Sequence, residues 1–261
     1  MSADETPFSE DWFLDGRLLL RQPLKGHRVG TDALLLAAIT SDTGRICDLG
    51  SGVGAVGLAL VLRAASAVVM IERNRVFADL ARYNLRHAHA SDHVQLIEAD
   101  IFDRKAFLRE PALADQSFDA VATNPPFDQV LRGRKTPTAL KHAAHAMQGG
   151  DLEDWLKAAM RLLKEGGMLS LIHRADRLND VLNALPKRAG AITIRPVQPQ
   201  ADQAATRLLV TAIAGSRAPL SILPPFVLHE SDGRFTAAAA LVHKGQARLT
   251  MQPGPVVEET V

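Results

Sequence analysis

The heptapeptide DLGSGVG, residues 48–54, lies between a short apolar run and a longer one. This order predicts a β-strand that turns sharply into an α-helix. In an open α/β sheet, such a turn leaves a crevice for a ligand at the carboxyl end of the strand. Glycines permit positive φ angles there and let backbone amides approach a bound molecule. We therefore expect a ligand site at Gly50, Gly52 and Gly54.

Outward from this turn, short apolar runs alternate with longer amphipathic ones. Strands are predicted over Arg45–Leu49, 67–71, 94–97, Phe118–Thr123 and 168–172, and helices from Ala55, over 75–89, and from Asp151 to Glu165 before the break at Gly166 and Gly167. This repetition predicts a parallel sheet with helices on both faces. The runs 191–197 and 207–213 have a joining segment too short for a helical crossover, which predicts an antiparallel hairpin. The predicted fold is α/β and Rossmann-like, a mostly parallel seven-stranded sheet with a terminal antiparallel hairpin.

Length and composition favour one large domain. The chain has 261 residues, of which 47% are hydrophobic, enough to bury one core of its own. We predict an N-terminal extension, residues 1–44, packed on a catalytic domain, residues 45–250, followed by a flexible tail, residues 251–261. Within the extension a helix is expected over 33–39, with Thr31 or Asp32 capping its first amides.

The charge pattern and the cysteine and histidine content narrow the function classes. A formal net charge of +1 does not require a polyanionic partner. The single cysteine, Cys47, excludes an internal disulfide and is expected in the core. The N-terminus lacks the layout of a signal peptide and no apolar stretch reaches about 18 residues, so a cytoplasmic protein with no membrane association is expected. The nine histidines show no metal-binding spacing, so no metal is predicted.

Acidic residues around the glycine turn predict the cofactor. Glu72 ends the second predicted strand, from where its carboxylate can accept hydrogen bonds from ribose hydroxyls. Asp48 precedes the glycines and suits a cationic amino group, whereas a pyrophosphate would be repelled. Asp100 follows the third strand, where it can accept from an adenine amine or simply cap a helix. These acids predict S-adenosylmethionine. Residues 52–57 also match the dinucleotide fingerprint, so a nicotinamide or flavin enzyme is one alternative, and glycines with a purely structural role are the other.

The motif NPPF, residues 124–127, follows the fourth predicted strand. An exocyclic adenine or amide nitrogen is a poor nucleophile because its lone pair is delocalised, so it needs acceptors that orient its N–H groups. The side-chain oxygen of Asn124 and the carbonyl of Pro125 can serve, Pro126 adds rigidity, and Phe127 can stack on a flat base or amide. The alternative is a rigid turn with no chemical role.

A basic stretch follows the acceptor motif. Its predicted RNA-contacting residues are Arg132, Arg134, Lys135 and Lys141. A solvated loop is the alternative interpretation. Further basic residues that can extend this surface are Lys25, His27, Arg28, Arg174, Arg195 and Arg207. No role is assigned to Trp12 or Trp155, for which packing is the default expectation.

Together these motifs resemble the class I methyltransferases that carry an (Asn/Asp/Ser)-Pro-Pro-(Tyr/Phe) motif. Within that group the chain looks most like bacterial tRNA1(Val) adenine N6-methyltransferases. This resemblance rests on residues 28–37, the NPPF motif, the segments 166–167 and 172–174, and the late segments 205–209 and 232–236. Phe127 stands where adenine enzymes of this subgroup commonly have tyrosine.

The resemblance implies methyl transfer to the exocyclic N6 of an adenine in the anticodon loop of a tRNA. The alternative it leaves open is N5-methylation of a protein glutamine. It also adds Thr31 and Asn124 to the cofactor contacts expected at Asp48, Glu72 and Asp100. The oligomeric state and any accessory protein stay open.

Overall fold

The computed structural model describes residues 7–26, 28–65, 67–107, 109–125 and 152–259. Its strands are β1 (Phe8–Phe13), β2 (Leu18–Pro23), β3 (Arg45–Leu49), β4 (Ala67–Glu72), β5 (Val94–Glu98), β6 (Phe118–Thr123), β7 (Leu163–Arg174), β8 (Ala189–Gln198), β9 (Arg207–Ala214), β10 (Ser221–Ile222), β11 (Phe226–Val227), β12 (Ala247–Leu249) and β13 (Val257–Glu259). Its α-helices are α1 (Thr31–Ile39), α2 (Ala55–Leu62), α3 (Arg75–His87), α4 (Arg104–Phe107), α5 (Leu152–Leu162), α6 (Leu178–Ala184) and α7 (Ala237–His243). Short 3-10 turns cover Pro111–Leu113 and Ala175–Arg177.

Within the described ranges, nine strands form the main sheet. Its longer strands lie in the order β8-β9-β7-β6-β3-β4-β5, and the two-residue strands β10 and β11 both pair with β8. Strands β3 to β7 run parallel, whereas β9 is antiparallel to both β7 and β8. The predicted parallel sheet with its terminal antiparallel hairpin is confirmed.

Two apolar cores cover the two faces of this sheet. One contains Leu35 of α1 and Leu58 of α2, and the other contains Leu156 of α5 and Val181 of α6. Neighbouring β6 residues join different cores because side chains alternate along a strand. Helices on both faces are thus confirmed. Cys47 is buried in the second core, as expected, and burial raises the pKa of its thiol.

The sequence predicted that Gly166 and Gly167 end a helix, and this prediction is wrong. Helix α5 already ends at Leu162, and β7 begins at Leu163, whose partner is Phe118 of β6. The register then shifts, and Gly166, at a φ of 77°, lies within this irregular part of β7. Leu163 is fully buried, so pairing and burial against β6 override the local helical pattern.

Helix α1 begins at Thr31, but its predicted capping is wrong. The cap residue is Gly30, and no side chain hydrogen bonds to the first amides. The Asp32 carboxylate instead accepts a hydrogen bond from Arg207 Nε at 2.9 Å. This ion pair joins α1 to the start of β9, a contact that local sequence does not encode.

Both ends of the described chain form antiparallel pairs. Strand β1 pairs with β2, and its Trp12 is 65% exposed rather than packed. Strand β13 pairs with β12, so residues 257–259 of the predicted flexible tail are a strand. The division into extension, catalytic domain and tail stays a prediction. No described helix is long and apolar enough to cross a membrane.

Asn84 of α3 joins the N-terminal hairpin to the glycine turn. Its carboxamide is fully buried, accepts from the Arg21 amide at 2.8 Å and donates to the Arg21 carbonyl at 3.0 Å. It also donates to the Val53 carbonyl at 2.9 Å. One side chain therefore satisfies backbone groups of β2 and of the turn that precedes α2.

We expect Asn84→Ala to lower the free energy of unfolding by about 2–4 kcal/mol, because buried backbone groups lose their partners. Urea unfolding followed by circular dichroism measures this change. The matched control is Asn183→Ala, an exposed substitution in α6, which should stay within about 0.5 kcal/mol of wild type. Equal midpoints for the two variants contradict the linking role of Asn84.

Candidate active site

The carboxyl ends of four neighbouring parallel strands meet at one edge of the sheet. Strands β6, β3, β4 and β5 lie side by side in that order. Gly50, Glu72, Asp100 and Asn124 therefore lie at the same edge, each at or just beyond the end of its strand. This is where an open α/β sheet places its ligand crevice.

The turn after β3 is held against the end of β4. The amides of Gly50 and Ser51 both donate to the Ile71 carbonyl, at 2.9 and 3.0 Å. Gly50 has a φ of 73°, and a Cβ at this position would lie 2.9 Å from the Trp155 ring. Gly52 has a φ of 56°, and a Cβ there would meet nothing within 4 Å. Conformation and packing explain the first glycine, whereas conformation alone explains the second.

Glu72 is directed back onto this turn. Its Oε2 accepts from the Gly52 amide at 2.9 Å, and its Oε1 accepts from the Asn74 amide at 2.7 Å. The residue is 8% exposed, and burial raises the pKa of its carboxyl against the effect of these two amides. Each carboxylate oxygen keeps a second lone pair, so it can still accept from a ligand hydroxyl.

Asp48 lies beneath the turn and is more deeply buried than the sequence suggested. It is 2% exposed, and its Oδ2 accepts from the Gly57 amide in α2 at 2.8 Å. Burial raises the pKa of Asp48 to about 7, the Gly57 hydrogen bond opposes this rise, and the charge of Glu72 adds to it. The carboxylate therefore braces the start of α2 and favours a positive charge nearby.

Asp100 and Thr31 occupy the border of the site. Asp100 Oδ1 accepts from the Phe102 amide at 2.9 Å, and its Oδ2 lies 3.6 Å from Arg73 Nη1. The carboxylate is about one third exposed, so it is open to a ligand as well. Thr31 is half-buried at the first turn of α1.

Asn124 provides the acceptor expected after β6. Its Oδ1 is buried and has no hydrogen-bond partner among the described residues. Pro125 is buried beside it. The other predicted acceptor and RNA-contacting residues lie outside the described residues: Pro126, Phe127, Arg132, Arg134, Lys135 and Lys141.

The structure excludes at least one of the six further basic residues that were predicted to extend the RNA-contacting surface. Arg195 is 1% exposed and donates to the carbonyls of Thr250 and Pro224, so it cannot contact an RNA. Arg174 and Arg207 are ion-paired with Asp176 and Asp32. His27 lies outside the described residues.

A family model described as methyltransferase small domain matches residues 27–189, more than half of the chain. The chain belongs to the methyltransferase small domain family. This membership confirms that the chain is a methyltransferase, as predicted, with S-adenosylmethionine as its cofactor. The roles predicted for individual side chains stay predictions.

The chain is similar to two enzymes of stated activity and to a protein of known structure. A tRNA1(Val) (adenine(37)-N6)-methyltransferase from Porphyromonas gingivalis is 33% identical over 161 residues, which cover 59% of this chain and 61% of that protein. A release factor glutamine methyltransferase from Xylella fastidiosa is 30% identical over 161 residues, covering 59% of this chain and 55% of that protein. The match thus spans less than two thirds of either relative. The crystal structure of a predicted O-methyltransferase from Agrobacterium tumefaciens has a TM-score of 0.68 and 33% identity, covering 82% of this chain and 96% of that one.

The geometry of the crevice fits S-adenosylmethionine. Buried Ser51 Oγ and Asn124 Oδ1 both lack partners among the described residues, so polar atoms are present for a ligand to satisfy. Glu72 would hold the ribose hydroxyls, and Asp48 would favour the cationic end of the cofactor. Gly52 would let the backbone approach it closely. Within the described ranges, no group of three or more His, Cys, Asp or Glu side chains is arranged to hold a metal ion.

We expect the deeply buried Asp48 to make cofactor binding pH-dependent. Its folded pKa of about 7 means that the carboxyl is mostly protonated at pH 6, and a cationic ligand must displace that proton. We expect the Kd for S-adenosylmethionine to fall about fivefold from pH 6 to pH 7, as the ionised fraction rises from about 9% to about 50%. Stopping at pH 7 keeps the α-amino group of the cofactor protonated.

Isothermal titration calorimetry at both pH values measures this dependence. Asp48→Asn keeps a side-chain oxygen for the Gly57 amide but removes the charge. Its Kd at pH 7 should therefore be higher than that of wild type and nearly independent of pH. If wild type and variant show the same pH dependence, Asp48 is not the titrating group.

Proposed function

We propose that the protein methylates the exocyclic N6 of an adenine in RNA, specifically in the anticodon loop of a tRNA of the valine type. The observation that carries this proposal is the buried, unpartnered Oδ1 of Asn124 at the carboxyl end of β6. An oxygen in this position can accept an N–H of the target amine, and unpartnered buried acceptors are rare in folded proteins.

The acceptor motif would orient the target amine, which the cofactor does not do. When bound, S-adenosylmethionine would supply a methyl carbon on a sulfonium, whose sulfur would take up the electron pair of the broken C–S bond. The amine lone pair must point at that carbon, which requires its N–H groups to be held out of the way. Asn124 Oδ1 and the Pro125 carbonyl would accept these two N–H groups, and the surplus amine proton would leave to water.

The P. gingivalis relative, named as a methyltransferase of an adenine in tRNA1(Val), supports RNA as the substrate class. An adenine in a tRNA loop is already single-stranded, so it can enter a pocket with little loss of stacking. The basic residues that follow the NPPF motif would contact phosphates around that loop.

A protein glutamine is the second candidate substrate. The X. fastidiosa relative is a release factor glutamine methyltransferase with nearly the same identity to this chain. A glutamine amide presents the same two N–H groups to Asn124, so the acceptor geometry suits both substrates. The two substrates differ in the charge around the methylated group, because an adenine in tRNA is flanked by phosphates.

The first test offers the protein S-adenosylmethionine and tRNA that lacks N6-methyladenosine, followed by digestion and mass spectrometry of the nucleosides. We expect N6-methyladenosine from wild type, and at least a 100-fold lower rate from Asn124→Ala, because an acceptor that orients the amine is lost. Asn183→Ala is the matched control and should retain the wild-type rate. The same digest separates N6-methyladenosine from 2′-O-methyladenosine, so an O-methyl product, or no methylated nucleoside, contradicts the proposal.

The second test distinguishes RNA from protein. We expect a variant with Arg132, Arg134, Lys135 and Lys141 all changed to glutamine to bind tRNA at least tenfold more weakly, because it loses four phosphate contacts. Filter binding at two salt concentrations should also give a shallower salt dependence than wild type. Unchanged tRNA affinity, together with methylation of a release factor, supports the glutamine alternative.

A further inference from the structure

Trp155, to which the sequence assigns no role, contacts the cofactor site from the helix that follows the acceptor segment. It is 8% exposed in α5, and its ring lies so close to Gly50 that a Cβ there would be 2.9 Å away. Its ring also makes an edge contact with Phe102, at 5.9 Å between centroids. Phe102 lies in the turn that Asp100 organises through its 2.9 Å hydrogen bond.

A chain of hydrogen bonds runs from this indole to the glycine turn. Trp155 Nε1 donates to Thr123 Oγ1 at 2.9 Å, and Thr123 Oγ1 donates to the Leu49 carbonyl at 2.9 Å. Thr123 and Trp155 are both buried, so neither bond competes with water. The threonine hydroxyl therefore uses its donor and an acceptor site at the same time.

These two hydrogen bonds lie where the cofactor site and the acceptor motif meet. Leu49 and Thr123 are the last paired residues of β3 and β6. Beyond them the glycine turn continues from Gly50, and the acceptor motif begins at Asn124. The side-chain bonds thus continue the connection between the two strands at the point where backbone pairing ends.

We propose that Trp155 is a positioning residue, which acts through the Thr123 hydroxyl to fix Asn124 relative to the glycine turn. This inference rests on the proposed methyl transfer, because it concerns the alignment of acceptor and cofactor. A misplacement of about 1 Å in such an alignment lowers a reaction rate by about 100-fold. Trp155 touches neither reactant directly in this role.

Steady-state kinetics of three variants test the proposal. Thr123→Val removes the hydroxyl at nearly constant volume and should lower kcat about 10- to 100-fold, with the KM for S-adenosylmethionine within about threefold of wild type. Thr123→Ser restores the hydroxyl and should recover kcat to within about threefold of wild type. Thr211→Val is the matched control, a buried threonine of β9, and should leave kcat unchanged.

A double variant separates positioning from general destabilisation. Trp155→Phe keeps a ring but removes the N–H, so it should lower kcat like Thr123→Val. The double variant should lose no more activity than the worse single variant, because both changes break one chain of bonds. Independent, multiplicative losses, or a kcat for Thr123→Val that equals wild type, overturn the proposal.

A second readout does not depend on the acceptor. The chain has two tryptophans, so Trp12→Phe leaves Trp155 as the single reporter. In that background, S-adenosylhomocysteine should change Trp155 emission in a saturable way, and Thr123→Val should shift the ligand-free emission to shorter wavelength. If neither change occurs, the positioning proposal fails. If both occur but no acceptor is methylated, only the proposed function fails.

Discussion

The carbonyl oxygen of Ile71 accepts hydrogen bonds from two successive amides, those of Gly50 and Ser51. These bonds hold the chain reversal after β3 against the end of β4, and a backbone can make this turn only with the positive φ found at Gly50. Once the turn is placed there, the next residue of β4, Glu72, reaches the Gly52 amide. The hydrogen bonds to Ile71 therefore set the position of the crevice, of the Glu72 carboxylate and of the Gly52 backbone.

Burying two carboxylates at such a turn lowers stability unless a cation is bound. The folded pKa of Asp48 is raised to about 7 from an ordinary value of 3.8, so the folded protein holds a proton that the unfolded chain has released. Stability of the cofactor-free protein attributable to Asp48 therefore decreases as pH rises from about 4 to about 7. We expect a cationic cofactor to offset this loss, because a nearby positive charge favours the ionised form. The burial that lowers stability at neutral pH is thus the same property that would favour a cationic ligand.

Local sequence patterns were sufficient for the elements that local physics dominates. Strands β3 and β6 begin and end at the predicted residues, because each is an apolar run bounded by polar or glycine residues. The start of β7 was missed because Leu163 pairs with β6, and the cap of α1 was missed because Asp32 binds Arg207 instead. The placement of the acids and glycines at one edge of the sheet follows from spacing, whereas the depth of Asp48 and the contacts of Trp155 depend on packing between distant segments. An aromatic residue shortly after an acceptor motif gives no local sign of the turn against which it packs.

The glycine turn is fixed from both faces of the sheet. From one core, Asn84 of α3 holds the Val53 carbonyl, and from the other, Trp155 of α5 packs on Gly50 and binds Thr123. Asn84 itself is tied to the N-terminal hairpin through Arg21, so the extension before β3 supports the cofactor site. A turn braced on two sides needs little reorganisation when its ligand binds, and preorganised dipoles are the most effective source of catalytic stabilisation. Substitutions in either brace should therefore affect the rate of methyl transfer through the same turn, although the two side chains approach it from opposite sides of the sheet.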